Sequence, residues 1–172
     1  MLLFIIIITL VLSACNVSTT NQIENDTTQN ETVQSTEMDD VTVPDSIISE
    51  DNLEKYNEFV KKAEEIESYS KENYESATTQ TSLNTESNVV YKKWDNLLNE
   101  VYQYLKANMN KEDFSVLEAD ELKWIEEKEK GIEEAATEWK GGSGEPMARN
   151  SAGIKYTSER CHYLISLVQQ CK

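Results

Sequence analysis

Apolar residues from Ser49 to the C-terminus recur at intervals of three or four positions, and this period limits the fold more than any other feature. Such spacing places apolar side chains on one stripe of an α-helix, whereas a half-buried strand needs alternation. No segment from residue 49 onward offers a convincing pair of strands. Because 38% of the 172 residues are apolar, the chain can build one modest core but not two. We therefore expect an all-α fold of antiparallel helical hairpins, with about four helices.

The segment 49–88 is expected to hold an N-terminal helix and a loop. Ser49 is a good N-cap, so helix one begins there, and its apolar period fades through residues 68–73. The polar segment 74–86 predicts a loop, after which helix two runs from about Ser87 to Asn108. Helix one either docks alongside the other helices or projects from them. The expected core residues are Leu53, Tyr56, Phe59, Val60, Ala63 and Ile66 in helix one and Val90, Trp94, Leu97, Val101 and Leu105 in helix two.

Helices three and four complete a helical domain that spans residues 89–172. Asn110 followed by Asp113 resembles a capping box and begins helix three. Gly141-Gly142 stops that helix, and Pro146 lies where a helix-starting proline belongs, at the beginning of helix four. The residues on or near the apolar faces are Phe114, Leu117, Trp124, Ile132, Ala135 and Trp139 in helix three and Met147, Ile154, Thr157, Cys161, Leu164, Ile165 and Val168 in helix four. Trp94 and Trp124 are expected in the core, whereas for Trp139 core and surface are equally favoured.

The N-terminus predicts a secretion signal that ends in a lipid-attachment cysteine. Residues 2–12 are apolar except Thr9, which is too short for a bilayer span of about twenty residues but typical of a secretory signal. Leu12-Ser13-Ala14-Cys15 looks like a bacterial lipobox, whose cysteine receives diacylglycerol. Residues 1–14 are then the signal peptide, and two acyl chains hold the protein on the cell membrane, facing away from the cytoplasm. A secretory signal with a chance cysteine is the alternative, and no basic residue precedes the apolar run.

Residues 15–48 are expected to form a disordered acidic tether. From Asn16 to Ile48 the chain is rich in Ser, Thr, Asn and Gln, with seven acidic residues and no basic one. A segment with so little apolar surface cannot offset the entropy lost on ordering the chain.

The net charge of the chain indicates which class of partner it can bind. The chain has 32 acidic and 16 basic residues, a net charge of -16. Such a surface opposes phosphate backbones, so no nucleic-acid partner is expected, whereas a cationic protein would be attracted. Residues 112–138 of helix three hold eleven acidic residues and three Lys. They form either a solvated helix face, with Lys130 paired to Glu126 and Glu134, or a binding surface. Against the first interpretation, Glu129–Glu133 and Glu134–Glu138 place like charges four residues apart, with too few bases nearby to match them. This arrangement costs some stability, which either function or simple solubility would have to justify.

The sequence offers little material for catalysis or metal binding. His162 is the only histidine, and it is expected to be exposed or to serve as a cap. It is adjacent to Cys161, and neighbours on a helix point about 100° apart, so the two cannot easily share a metal. Ten helical residues would separate Cys161 from Cys171 by about 15 Å, too far for a disulfide, so free thiols are expected unless the helix breaks after Leu167. We expect no enzyme activity, no metal and no cofactor.

Several motifs in the second half of the chain follow one another in a recognisable order. They are Tyr91-x-x-Trp94-Asp95, Trp124-Ile125, Gly141-Gly142-Ser143-x-x-Pro146 and Thr157-x-x-Arg160-Cys161-x-x-Leu164. Together they resemble the LprI-like lysozyme-inhibitor domain family over about residues 89–165. The family is commonly borne on secreted or lipid-anchored bacterial proteins, which agrees with Cys15. Many members carry cysteines where this chain has Ile132 and Ala152, and their joint absence is what loss of a disulfide between helices three and four would look like.

The resemblance implies a lipid-anchored cell-envelope protein whose helical domain binds another protein. The implied partner is lysozyme, typically a strongly basic enzyme, which an acidic surface would attract and a loop or helix end would occlude. The expected contacts are Glu126, Glu133, Glu134 and Glu138, with Gly141, Gly142, Ser143 and Glu145 of a protruding loop. The alternatives are a glycine segment that only caps a helix and turns the chain, and a structural or accessory envelope lipoprotein with no lysozyme affinity.

Overall fold

The computed structural model of the protein describes residues 49–171, which fold into four α-helices. These are α1 (Glu50–Ser76), α2 (Gln80–Asn108), α3 (Lys111–Ala136) and α4 (Glu145–Leu167), with 3-10 turns at Thr137–Trp139 and Val168–Gln170. The described residues contain no strand, so the all-α prediction is confirmed. The predicted signal peptide, Cys15 and the tether lie outside the described residues and stay predictions. No described helix is both long enough and apolar enough to cross a membrane.

The predicted starts of helices one, three and four are confirmed by the residues at their N-termini. The Ser49 hydroxyl accepts a hydrogen bond from the Asn52 backbone N–H at 3.2 Å. The Asn110 side chain accepts one from the Asp113 backbone N–H at 2.9 Å. Each bond satisfies an amide that has no partner within the first turn of its helix. Pro146 lies in the first turn of α4, where its missing N–H is of no consequence.

The predicted loop over residues 74–86 is wrong. Helix α1 continues to Ser76, α2 begins at Gln80, and only residues 77–79 connect them. A capping box starts α2, with the Thr79 and Ser82 side chains each bonded to the other residue's backbone N–H. Further along, Ser87 is fully buried and its hydroxyl accepts a hydrogen bond from Asn150 of α4. Because such tertiary contacts supply most helix stability, a polar segment can stay helical despite its weak local preference.

The end of α3 also differs from the prediction. The α-helix stops at Ala136, and one 3-10 turn precedes Gly141, whose φ of 77° only glycine adopts readily. Ala136 is buried, whereas the neighbouring Ala135, which was predicted to face the core, is exposed. Trp139 is 46% exposed, which decides between core and surface for this residue. The 3-10 turn at Thr137–Trp139 replaces the last predicted turn of the α-helix, so Trp139 does not continue the apolar stripe of α3.

Consecutive helices run antiparallel, in an up-down-up-down order. Lys62 of α1 contacts Glu100 of α2, while Tyr69, further along α1, reaches back to Glu86. The core lies between α2 and α4, which run parallel to each other, with α1 docked on both and α3 packed on α4. Helix one therefore docks rather than projects. The fully buried core side chains include Phe59, Val90, Val101, Leu105, Cys161, Leu164 and Val168. Trp94 is buried as predicted, and Trp124 is partly buried against the core.

The bundle has two distinct ends. At the proximal end, the Asn52 side chain donates to the Cys171 carbonyl at 2.6 Å and accepts from the Tyr104 hydroxyl at 2.8 Å. This ties the start of α1 to the end of α2 and to the C-terminus. At the distal end lie the turn 77–79 and the loop 137–144 that joins α3 to α4. A helix of 27 residues, as α1 is, separates the two ends by about 40 Å.

A largely buried arginine joins α3 to α4 near the middle of the hairpin. Arg160 donates to Glu121 at 2.7 Å and to Asp120 at 2.6 Å, and we call these three residues the buried clamp. Its guanidinium also lies 5.8 Å from the Trp124 ring and 4.7 Å from the Tyr163 ring. Burial raises the pKa of the Glu121 carboxyl, and the hydrogen bond from Arg160 opposes part of that rise. Arg160 therefore favours the ionised form of Glu121 in a site whose burial disfavours the charge.

The two described cysteines are free and buried, as predicted. Although α4 ends at Leu167, the 3-10 turn that follows does not bring Cys171 into a disulfide with Cys161. Burial raises the pKa of the Cys161 thiol to about 12. At neutral pH this thiol stays protonated and packs as a small apolar group.

Removal of Arg160 should destabilise the protein in a pH-dependent way. In Arg160→Ala, Glu121 loses its main cation, and the free energy of unfolding should fall by about 3 kcal/mol at pH 7. Because the folded-state pKa of Glu121 is then raised further above 4.5, the loss is full at high pH. It shrinks as the pH falls and the carboxyl takes up a proton. Urea unfolding at pH 7 and at pH 5 measures both effects, with exposed Lys155→Ala as the control. Equal stability of the two variants would contradict a role for the buried clamp.

Candidate partner-binding surface

The loop between α3 and α4 is closed by its own backbone. The Gly142 N–H donates to the Trp139 carbonyl at 2.9 Å, and the Glu145 N–H donates to the Gly142 carbonyl at 3.2 Å. The Gly141 N–H donates to the Glu145 carboxylate at 2.8 Å. Two consecutive turns therefore carry the chain from the end of α3 to the start of α4. The glycine segment both ends α3 and forms a defined loop, so neither of the two interpretations from the sequence is sufficient alone.

Trp139 and Gly144 are packed against each other across this loop. A Cβ atom placed on Gly144 would lie 2.6 Å from the Trp139 ring, closer than any real contact. Only a glycine allows the indole to approach the backbone this closely here. Trp139 is still 46% exposed to solvent. The loop thus holds a large aromatic side chain in a fixed position at the surface.

Arg149 of α4 ties the loop to α3. Its Nε donates to Glu145 at 3.0 Å, and its Nη2 donates to Glu133 at 3.0 Å, and we call these three residues the loop clamp. The guanidinium lowers the pKa of Glu133 below its ordinary value of 4.5. The Gly141 N–H, and then Arg149, lower the pKa of Glu145. A lowered folded-state pKa means that the clamp contributes stability above about pH 4.5 and loses it only as the pH falls through that lowered value.

Helix α2 supports the loop from the other side. The Asn84 side chain donates to the Ser143 carbonyl at 2.9 Å, so the first turns of α2 hold the middle of the loop. An open groove of about 760 Å³ lies between these elements, with Asn88, Pro146 and Asn150 among its lining residues. Several of its polar side chains are already bonded within the protein, as Asn84 and Asn150 are. The groove is therefore better suited to shape contacts than to tight capture of a small polar ligand.

The predicted contact residues fall into three groups. Gly141, Gly142 and Ser143 lie in the loop and are exposed. Glu133 and Glu145 belong to the loop clamp. Glu126, Glu134 and Glu138 are exposed to solvent, and Glu134 has only a 3.7 Å contact with Lys130.

One expectation about these charges needs correction. Glu133 was expected to lack a matching base, but Arg149 of α4 provides one. The structure thus separates acidic residues that fix the loop from acidic residues that are free to meet a partner. The expected pair between Lys130 and Glu134 is present, whereas no ion pair joins Lys130 to Glu126 within residues 49–171.

The roles of Arg149 and Asn84 at this surface were not predicted from the sequence. Arg149 is four residues after Glu145, which is a recognisable helical pair, but its second partner is 16 residues away. Asn84 lay in the segment that was assigned to a loop, where no α2 contact was expected. Both residues act across helices, and a local pattern does not contain that information.

The rest of the described chain offers no competing site. His162 is exposed, as predicted, and its Nε2 lies 3.2 Å from a Glu67 carboxylate oxygen. Its ring is 5.4 Å from the Trp94 ring. No group of three or more His, Cys, Asp or Glu side chains within residues 49–171 could hold a metal ion.

Comparison with known proteins gives one match. A family model described as "Lysozyme inhibitor LprI" matches residues 70–164, which is more than half of the 172-residue chain. The match begins within α1, includes all of α2, α3 and the loop clamp, and ends near the end of α4. No curated protein matches the chain, and no solved structure does. The resemblance inferred over residues 89–165 is confirmed, and it extends further upstream.

Arg149→Ala should loosen the loop without unfolding the bundle. Glu133 and Glu145 would lose their shared cation, so the loop amides of residues 141–144 should exchange with deuterium several-fold faster. The melting temperature should change little, because the ion pairs of the loop clamp are only partly buried and an ion pair near the surface contributes little stability. Arg149→Lys keeps the charge but not the two-armed geometry, so it should restore only part of the protection. Hydrogen exchange read by mass spectrometry measures the effect, and unchanged exchange in both variants would show that the clamp does not order the loop.

Proposed function

This chain belongs to the LprI lysozyme inhibitor family, and on that premise we propose that its helical domain binds a lysozyme and inhibits it by covering the catalytic cleft. The observation that supports the proposal is the family match together with the ordered loop that it includes. The family is one of inhibitors rather than enzymes, and a protein partner follows from that description. We further propose that the chain has no catalytic activity of its own.

Charge supports the choice of partner. The chain carries a net charge of -16, and lysozymes are typically strongly basic. Opposite net charges speed the diffusional encounter, while close contacts at the interface determine how long the complex lasts. Glu126, Glu134 and Glu138 remain exposed, so they are available for the encounter. Glu133 and Glu145 support binding in a different way, because they hold the loop in one conformation.

We also propose that the protein is a lipoprotein, held on the outer side of the cell membrane through Cys15. Support comes from the apolar run and the Leu12-Ser13-Ala14-Cys15 motif that follows it. The described domain begins at Ser49, at the proximal end, whereas the loop lies at the distal end about 40 Å away.

A lysozyme activity assay with the purified protein tests the proposed function. Inhibition should saturate near one to one and persist at about 0.15 M salt, because cleft occlusion by a specific face does not depend on long-range charge alone. Inhibition that is seen only at low salt would indicate non-specific adhesion of a polyanion. Absence of inhibition at either salt concentration would contradict the proposal and leave an accessory envelope role.

Neutralisation of the exposed acidic residues tests their role in encounter. The triple variant Glu126→Gln, Glu134→Gln, Glu138→Gln leaves the loop clamp intact and should slow association several-fold at low salt, with a smaller effect on dissociation. The matched control removes the same charge from α1, as Glu54→Gln, Glu64→Gln, Glu72→Gln. Stopped-flow kinetics with lysozyme measures both rates. If both triple variants slow association equally, only net charge matters, and this part of α3 is not the contact surface.

Replacement of Cys15 tests the lipid anchor. Cys15→Ser should abolish incorporation of labelled fatty acid, because the thiol that receives the lipid is absent. Cys171→Ser, at a buried cysteine of the domain, should be labelled like the unchanged protein. Labelling of the Cys15 variant would place the lipid elsewhere.

A further inference from the structure

We propose that the Trp139 indole is the anchor that enters the cleft of the cationic partner. This inference rests on the proposed function and assigns one side chain at its binding surface. Charge brings the partner close, but non-directional attraction does not select a register. A large apolar side chain that is buried on binding supplies both affinity and position, and tryptophan is enriched among residues with that role.

Exposure singles out Trp139 among the side chains of the distal end. The other exposed large apolar side chains of residues 49–171 are Leu53, Val116, Leu122 and Tyr163, and all lie along helix faces. Trp139 alone among them belongs to the loop between helices. An indole that remains 46% exposed in the free protein can lose that water-accessible surface only by contact with something else.

The loop holds the indole in place before any partner arrives. The Thr137 hydroxyl donates to the Glu133 carbonyl at 2.9 Å, which fixes the start of the 3-10 turn. The Trp139 carbonyl accepts from Gly142, and one side of the ring lies against Gly144. Since the loop clamp and Asn84 hold the same loop from two sides, little conformational entropy remains to be lost on binding. A side chain fixed in this way gains more from burial than a mobile one.

The charges beside Trp139 fit a basic partner. Glu138 precedes it directly, and Glu134 lies about one turn earlier on α3; both are exposed. Lys140 is the one basic residue of the segment 134–140, so acidic residues outnumber basic ones next to Trp139 in the chain. An aromatic side chain with carboxylates around it complements a concave site that has a cationic rim. This chemistry favours a basic protein with an open groove over a membrane surface or a nucleic acid.

The test compares two ways of removing the indole from its position. Trp139→Ala deletes the ring, whereas Gly144→Ala keeps it but places a methyl group where the ring now lies. Leu122→Ala is the matched control, because Leu122 is 44% exposed on the same hairpin but away from the loop. Binding of each purified full-length variant to a basic c-type lysozyme is measured at about 0.15 M salt by calorimetry and by stopped-flow kinetics.

The expected result is a loss of affinity in both loop variants. Trp139→Ala should weaken binding by more than about twentyfold, mostly through faster dissociation, and Gly144→Ala should weaken it in the same direction. Leu122→Ala should bind within about twofold of the unchanged protein. Circular dichroism melts check that each variant is folded. If Trp139→Ala proves unfolded, Trp139→Phe and Gly144→Ala decide the question, since both retain an aromatic ring.

The possible outcomes separate this inference from the function on which it rests. If the unchanged protein binds lysozyme and the loop variants bind equally well, Trp139 is not the anchor, and the proposed function stands. If the unchanged protein does not bind lysozyme at all, the proposed function fails, and the partner assigned to Trp139 fails with it. If Leu122→Ala is weakened as much as Trp139→Ala, the contact lies along α3 rather than at the loop.

Discussion

Two arginines of α4 hold α3 in place, and the rest of the distal surface depends on them. Arg160 reaches Glu121 and Asp120 from a largely buried position, and Arg149 reaches Glu133 beside the loop. Helix α3 packs mainly against α4, so these contacts set the position of the end of α3 relative to α4. The two helices carry Ile132 and Ala152 at the positions where the family resemblance implies cysteines. In this chain, ion pairs and packing join the same two helices.

The position of α3 determines which acidic residues are free. Eleven acidic residues lie between positions 112 and 138, and from the sequence they appear as one charged stretch. The structure divides them. Glu121 is buried under Arg160, Glu133 is bound by Arg149, and others such as Glu126 and Glu138 face solvent. A binding surface for a cationic partner therefore combines a neutralised, ordered part with an exposed acidic part, and the two parts have different functions.

Helix content was predictable where apolar period and cap residues agreed. Ser49, Asn110 and Pro146 each mark a helix start, because a cap depends on residues within one turn. The prediction for the segment 74–86 failed because its polar residues have a weak local preference for helix, whereas tertiary contacts support the helix. Asn84 donates to the Ser143 carbonyl of the loop before α4, and the adjoining Ser87 accepts from Asn150 of α4. Similarly, the way α3 packs buries Ala136 rather than Ala135, which the apolar spacing alone does not reveal.

The sequence alone determined the helical class, the starts of three of the helices, the apolar stripes, the charge balance and the family resemblance. These properties follow from composition and from neighbours within about four residues, which one helix turn brings together. Tertiary structure decided which carboxylate each arginine binds, since the partners are 16 and 39 residues apart. It also decided that Trp139 is exposed beside an ordered loop. The ion-pair partners and the exposure of Trp139 depend on how whole helices pack together. That packing results from many contacts between residues that are far apart in the chain.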